Sequence, residues 1–230
     1  MTTVLPHDDI TAVGAGLSAR GLTPGSTGNI SVRADDGGVR ITPTGAVLGA
    51  LDPADVAVVD EHGHHTAGRP PSKELGLHDV LYREHPSCAA IVHVHSLHAV
   101  AVSCLARLQD DDPLPRLTPY YVAKVPQLRL VPYHRPGSLE LVAAVAAAAR
   151  RSRFLLLRNH GTIVAAPSLR EAADAVEEIE QTAALALLLD GRCVQTVGSD
   201  RVSGQRSLQL GSPDLSPGHT PLDAEGRGSC

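Results

Sequence analysis

Apolar positions recur along this chain at two spacings, one helical and one alternating. Ile10, Val13 and Leu17 keep helical spacing across positions 8–20 and stop at Gly21, a natural C′ glycine. The alternating runs Asn29-Ile30-Ser31-Val32-Arg33 and Val39-Arg40-Ile41-Thr42 flank the turn Asp35-Asp36-Gly37-Gly38 and predict a β-hairpin. A further strand is expected over 55–60. Ser72 is the expected N-cap of a helix over 73–84 that turns Leu77, Val80 and Leu81 inward. The short apolar runs 88–95 and 128–131 read as strands, and the alanine-rich stretch 138–151 as a helix. A strand pair, 153–157 and 162–165, flanks Asn159-His160-Gly161. Ser168-Leu169-Arg170-Glu171 is a capping box that opens a long helix to about Asp190.

No repeat and no internal linker interrupts this series, so it predicts one α/β domain over 1–210. Periodicity fades after Val197. Positions 211–230, rich in Pro, Gly and Ser, are expected to form a loose tail.

Composition narrows the function classes. With 230 residues, 43% hydrophobic and 20% charged, the chain can bury about 70% of its unfolded surface without staples. One Phe, four Tyr and no Trp leave no platform for stacked bases. A formal charge of −5 with no basic run speaks against tracking a phosphate backbone, so no nucleic-acid partner is expected. No apolar stretch reaches membrane-span length and no basic-then-apolar leader follows Met1, so a cytoplasmic protein with no membrane partner is expected. Cys88, Cys104, Cys193 and Cys230 are far apart and read as reduced thiols.

Twelve histidines are many for this length. Most need no function: His62, His64 and His65 fall in a polar turn, and His78 and His98 on helices, where a structural role is the simpler reading. His93-Val94-His95 differs, because residues two apart on a strand share a face. Two imidazoles at the end of an apolar strand are both desolvated, which disfavours charging them, and a divalent metal takes neutral imidazole nitrogens. His160, at a glycine turn after an apolar strand, is a third donor. Glu74, near a helix start, can ligate the metal or move protons. Three His and one Glu suit zinc, with manganese or cobalt as alternatives.

Gly25-Ser26-Thr27-Gly28-Asn29 and Thr42-Pro43-Thr44-Gly45 are small-residue loops able to aim N–H and hydroxyl groups at an anion, and Ser72 adds a helix start. Each taken alone is better read as a mere turn. Beside a histidine site they point to a phosphorylated small-molecule substrate. No P-loop or dinucleotide fingerprint occurs.

Taken in order, Thr27-Gly28-Asn29-Ile30-Ser31, Ile41-Thr42-Pro43-Thr44-Gly45, Pro71-Ser72-Lys73-Glu74, His93-Val94-His95-Ser96 and Asn159-His160-Gly161 resemble the class II aldolase/adducin family over about positions 8 to 190. The resemblance implies an α/β/α layered fold with a central, mainly antiparallel sheet, and a homotetramer with sites between subunits. It implies that His93, His95 and His160 bind zinc, with Glu74 the acid beside it. Asn29, Thr44, Gly45 and Ser72 would hold the substrate phosphate, and Tyr121 would reach a neighbour's site as a proton donor. Lys73 stands where the sugar-phosphate aldolases usually carry a second Ser. There it would offset substrate charge or simply face solvent.

That lysine, with Leu117 to Val125 and Leu130 to Gly137, is most similar to the 3-oxo-tetronate 4-phosphate decarboxylase branch. The implied reaction is metal-dependent loss of CO2 to give dihydroxyacetone phosphate through an enediolate. A retro-aldol of a ketose 1-phosphate or a pentulose-phosphate 4-epimerisation is the alternative within the family, and a non-catalytic adducin-like interaction domain the alternative outside enzymes. The aldolases use a C-terminal tyrosine, and no Tyr follows Tyr133 here, which weakens the retro-aldol reading.

Overall fold

A computed structural model describes residues 6–198 and the short strand Arg206–Ser207. In chain order the elements are α1 (Pro6–Ala19), β1 (Asn29–Arg33), β2 (Val39–Ile41), β3 (Ala57–Val59), β4 (His65–Ala67), α2 (Leu75–Glu84), β5 (Ala90–Val94), α3 (Leu97–Ser103), α4 (Pro119–Lys124), β6 (Leu128–Val131), α5 (Leu139–Ala149), β7 (Phe154–Leu157), β8 (Gly161–Ala166), α6 (Leu169–Leu188), β9 (Cys193–Val194) and β10 (Arg206–Ser207). The first eight strands form one sheet in the order β4-β3-β2-β1-β5-β8-β7-β6, and β9 pairs with β10 apart from it. Every neighbouring pair in the large sheet is antiparallel except β6 with β7. The layered, mainly antiparallel α/β/α expectation therefore holds.

Strand parity sorts the core into two. Ile30, Val32, Val92, Val94, Leu128, Leu130, Leu156 and Val164 pack with α1, α3, α4 and α6 on one face. Ile91, Val131, Leu155, Leu157, Ile163 and Ala165 pack with α2 and α5 on the other. Strands buried on both faces need continuous apolar runs, which is why β5, β7 and β8 read so strongly in the sequence. Each fully buried Leu, Ile or Val contributes about 1.5–3 kcal/mol of transfer free energy. Helix starts follow their caps: Ser138 accepts from Leu141 N, and Ser168 from Glu171 N at 3.2 Å.

The structure departs from the sequence expectations in several places. The helix expected from position 73 begins at Leu75, because Ser72 closes a turn first: its carbonyl accepts from Leu75 N and its hydroxyl from Glu74 N. His65, assigned to a polar turn, opens the wholly exposed edge strand β4. The short helix α4 carries too few turns for periodicity to register. Cys88 and Cys104 are free thiols, but Cys193 is disulfide-bonded, which corrects the reading of four reduced cysteines. The expected tail, 211–230, lies outside the described residues.

Candidate metal centre

The centre is built around β5, the strand between β1 and β8. In register, His93 lies opposite Asn29 of β1 and Ile163 of β8. His93 and His95 share the parity of Ile91, so both face the α2 layer. His160 enters from the β7–β8 turn, where Asn159 adopts φ 54°. Glu74 comes from the turn that leads into α2. One donor atom from each of Glu74, His93, His95 and His160 lies within 4.8 Å of the others.

Two glycines allow this crowding. Gly28 has φ 79° and Gly161 φ 153°. A Cβ on Gly28 would sit 2.7 Å from the His93 carbonyl oxygen, and one on Gly161 2.3 Å from the Val94 carbonyl oxygen and 3.1 Å from the His95 ring. Only a residue without a side chain lets these backbones close on the His-x-His strand from both sides.

The donor set is short of protons. His93 is fully buried, and its Nδ1 donates to the Thr162 carbonyl at 2.7 Å. In the neutral ring its Nε2 is then a bare lone pair. That atom faces His95 Nε2 at 3.1 Å, His160 Nε2 at 3.3 Å and Glu74 Oε2 at 3.3 Å, while His160 Nε2 lies 3.3 Å from Glu74 Oε1. Burial, with His93 and His160 close by, holds the His95 ring down at about 3, so it too stays neutral. Burial opposes the charge on Glu74, but its interactions with the His160 and His93 rings outweigh burial and keep the carboxyl far below its usual range. Three imidazoles and a carboxylate whose donor atoms converge on one point fit a divalent cation.

Around the centre, Asn29 is 4% exposed and donates Nδ2–H to Glu74 Oε2 at 2.8 Å. Thr44 and Gly45 lie exposed after β2. Their loop is pinned to the approach to α2 by the Pro43–Pro71 bridge and by Thr44 Oγ1–H donating to the Pro71 carbonyl at 2.8 Å. Ser72 is half-buried there and Lys73 exposed. The sequence's anion-binding candidates thus lie on two joined loops beside Glu74.

Tyr121 does not join them. It is 2% exposed within its own chain, in the core on the opposite face of the sheet, and its hydroxyl has no partner among the described residues. Sequence reasoning set His78 aside and overlooked Ser31 and Tyr82, which are linked to Asn29 by hydrogen bonds. The signal was present: Glu74, His78 and Tyr82 are four apart on a helix, and Asn29 and Ser31 two apart on a strand.

Comparison with known proteins agrees with this frame. The chain is 48% identical over 179 residues to a 3-oxo-tetronate 4-phosphate decarboxylase of Cupriavidus necator, covering 78% of this chain and 82% of that protein. It is 36% identical over 173 residues to an L-fuculose phosphate aldolase of Escherichia coli, covering 74% and 77%. The solved structure of YgbL from Klebsiella pneumoniae, described as a candidate aldolase/epimerase/decarboxylase, superimposes with a TM-score of 0.81 at 40% identity over 85% of this chain and 94% of that one. The model of the class II aldolase and adducin N-terminal domain matches residues 8–187, and the chain belongs to that family.

Proposed function

We propose that this chain is a carbon–carbon lyase that decarboxylates a 3-oxo-tetronate 4-phosphate to dihydroxyacetone phosphate and CO2 with a divalent metal. The observation that carries the metal-dependent part is the convergence of donor atoms from Glu74, His93, His95 and His160 on one point. The choice among family chemistries is supported by higher identity to the decarboxylase, 48%, than to the aldolase, 36%.

A cation held by His93, His95, His160 and Glu74 would supply Lewis acidity that turns the substrate ketone into an electron sink. The Thr162 carbonyl keeps the His93 proton on Nδ1 and its lone pair on the substrate side. Ser72, Thr44, Gly45 and the second Nδ2 hydrogen of Asn29 bind the phosphate, and Lys73 offsets its charge. Losing CO2 leaves a carbanionic carbon that needs a proton. A water held by the Glu74 carboxylate donates it, and the hydroxide left behind is taken up by the released CO2 as bicarbonate or reprotonated from solvent.

As finer parts of the same proposal, the metal is zinc, with manganese or cobalt as substitutes, which the nitrogen-rich donor set favours. The enzyme is a homotetramer, a reading supported by exposed apolar side chains such as Leu97 at 70%, Leu139 at 83% and Leu188 at 75%. It works in the cytoplasm, where a charged phosphate ester is retained. No described helix is long and apolar enough to cross a membrane.

The test is a coupled assay of the zinc- or manganese-loaded enzyme that follows CO2 and dihydroxyacetone phosphate together. Equal release, lost in His93→Ala, supports the decarboxylase. No release from metal-loaded enzyme, with an aldehyde freed from a ketose 1-phosphate, moves the assignment to the aldolase.

A further inference from the structure

Helix α2 and strand β1 interleave five polar side chains into one buried row. Glu74 comes from the N-cap of α2, His78 and Tyr82 from the helix itself, and Asn29 and Ser31 from β1. Ser31 and His78 are fully buried, and Asn29 and Tyr82 are each 4% exposed. The contacts run Glu74–Asn29 at 2.8 Å, then Asn29–His78, His78–Ser31 at 2.7 Å and Ser31–Tyr82 at 2.8 Å.

The chemistry at the Glu74 end fixes the direction of every bond. An ionised carboxylate only accepts, so Asn29 must show it the NH2 end and turn Oδ1 to His78. Oδ1 also only accepts, so His78 Nε2 carries a hydrogen. Burial holds the His78 ring at about 3, hence neutral, and its Nδ1 is left as an acceptor. Ser31 then donates to Nδ1, and Tyr82 donates to Ser31 Oγ. All four donors point toward Glu74. None can turn over without leaving a buried group unpaired.

We propose that His78 is the positioning residue of the metal centre: acting through Asn29, it sets the Glu74 carboxylate so that Oε1 meets His160 and Oε2 meets His93. The same bond keeps the Asn29 carbonyl off both the carboxylate and any substrate anion. This inference rests on the metal reading above and assigns to a helix histidine a role beyond packing. Outer partners of this kind tune metal affinity and activity by about 10–100-fold.

The experiment measures zinc affinity of the apoprotein by chelator competition, then kcat and KM of the loaded enzyme, for wild type, His78→Phe, His78→Gln and Ser31→Ala. Phe fills the space and makes neither bond, whereas Gln offers one N–H and one C=O at similar reach. The expected result is a 10–100-fold loss in zinc affinity, kcat or both for His78→Phe. KM should stay within about threefold, and His78→Gln should recover most of the loss. Ser31→Ala, which frees His78 Nδ1 without adding bulk, should fall between. Wild-type values for His78→Phe, or a His78→Gln no better than His78→Phe, would overturn the proposal. If His78→Phe does not fold, Ser31→Ala and His78→Gln decide, and wild-type behaviour of Ser31→Ala overturns it. A wild type that binds no divalent metal sinks the metal reading and this inference together. A wild type that binds zinc but releases no CO2 sinks only the substrate assignment, and the affinity series still judges His78.

Discussion

The Thr162 carbonyl accepts the Nδ1 hydrogen of His93 at 2.7 Å, and this bond determines which face of the imidazole meets Glu74, His95 and His160. Because Thr162 follows the β7–β8 turn by two residues, the same short segment that brings in His160 also orients His93. Fixing a ligand's far nitrogen on a backbone carbonyl is a device that no side-chain substitution can remove.

His93→Ala should lose stoichiometric zinc and lower turnover by more than about 100-fold, beyond what outer partners cost. Metal analysis after gel filtration, beside the CO2 assay, checks both. A variant that kept zinc and full rate would remove His93 from the donor set.

Glu74→Gln keeps an acceptor for Asn29 but loses the charge and the proton route. Turnover should drop by about 10²–10⁴-fold, the range for general acid–base groups, with KM changed little. Full turnover with metal bound would exclude Glu74 from proton delivery.

Gly161→Ala would place a Cβ 2.3 Å from the Val94 carbonyl oxygen, at φ 153°. The strand or the turn must give way. The expected cost is about 1–3 kcal/mol in denaturant unfolding, accompanied by weaker zinc binding because His95 borders the same contact. A stable variant with unchanged zinc affinity would show that the approach of β8 to β5 is not critical.

Acid should destabilise the apoprotein through His78. Its value in the folded chain is about 3, against 6.5 ordinarily, so the unfolded state binds the proton more readily between those limits. The stability is fully present above pH 6.5 and is lost as pH falls toward 3. His95 titrates in the same window. Unfolding free energy of wild type should therefore slope more steeply with pH than that of His78→Gln, by up to about 1.4 kcal/mol per pH unit for the one proton removed. Equal slopes would show that His78 carries its charge in the folded protein.

The metal donors were legible because they obey short-range rules. His93 and His95 share strand parity, and His160 sits at a glycine turn. The long elements α5, α6, β5, β7 and β8 were legible through their apolar runs and caps. The row from Tyr82 to Asn29 was not read, although its two spacings are regular, because pairing a helix face with a strand face is a tertiary fact. Nor could the sequence show that Tyr121 is interior: a resemblance aligns positions but does not say which way a short helix turns. Leu75, not Lys73, starts α2 because the Ser72 turn comes first, and that turn leaves Glu74 at the N-cap, where its carbonyl accepts from Leu77 N and its side chain is free to turn to the histidines.

Placing the histidine pair on β5, walled in by β1 and β8, ties the site to the slowest-exchanging part of the molecule. Amides of such interior strands exchange with deuterium only when the whole chain opens. The donor set should therefore not fray ahead of the fold, and on heating, catalytic competence and native structure should disappear in one transition. The loops around Thr44 and Lys73 lie outside these strands, exposed and joined only by the Pro43–Pro71 bridge and a few hydrogen bonds. The buried frame of the histidine cluster and the exposed loops at its rim are then free to change at different rates as sequences diverge.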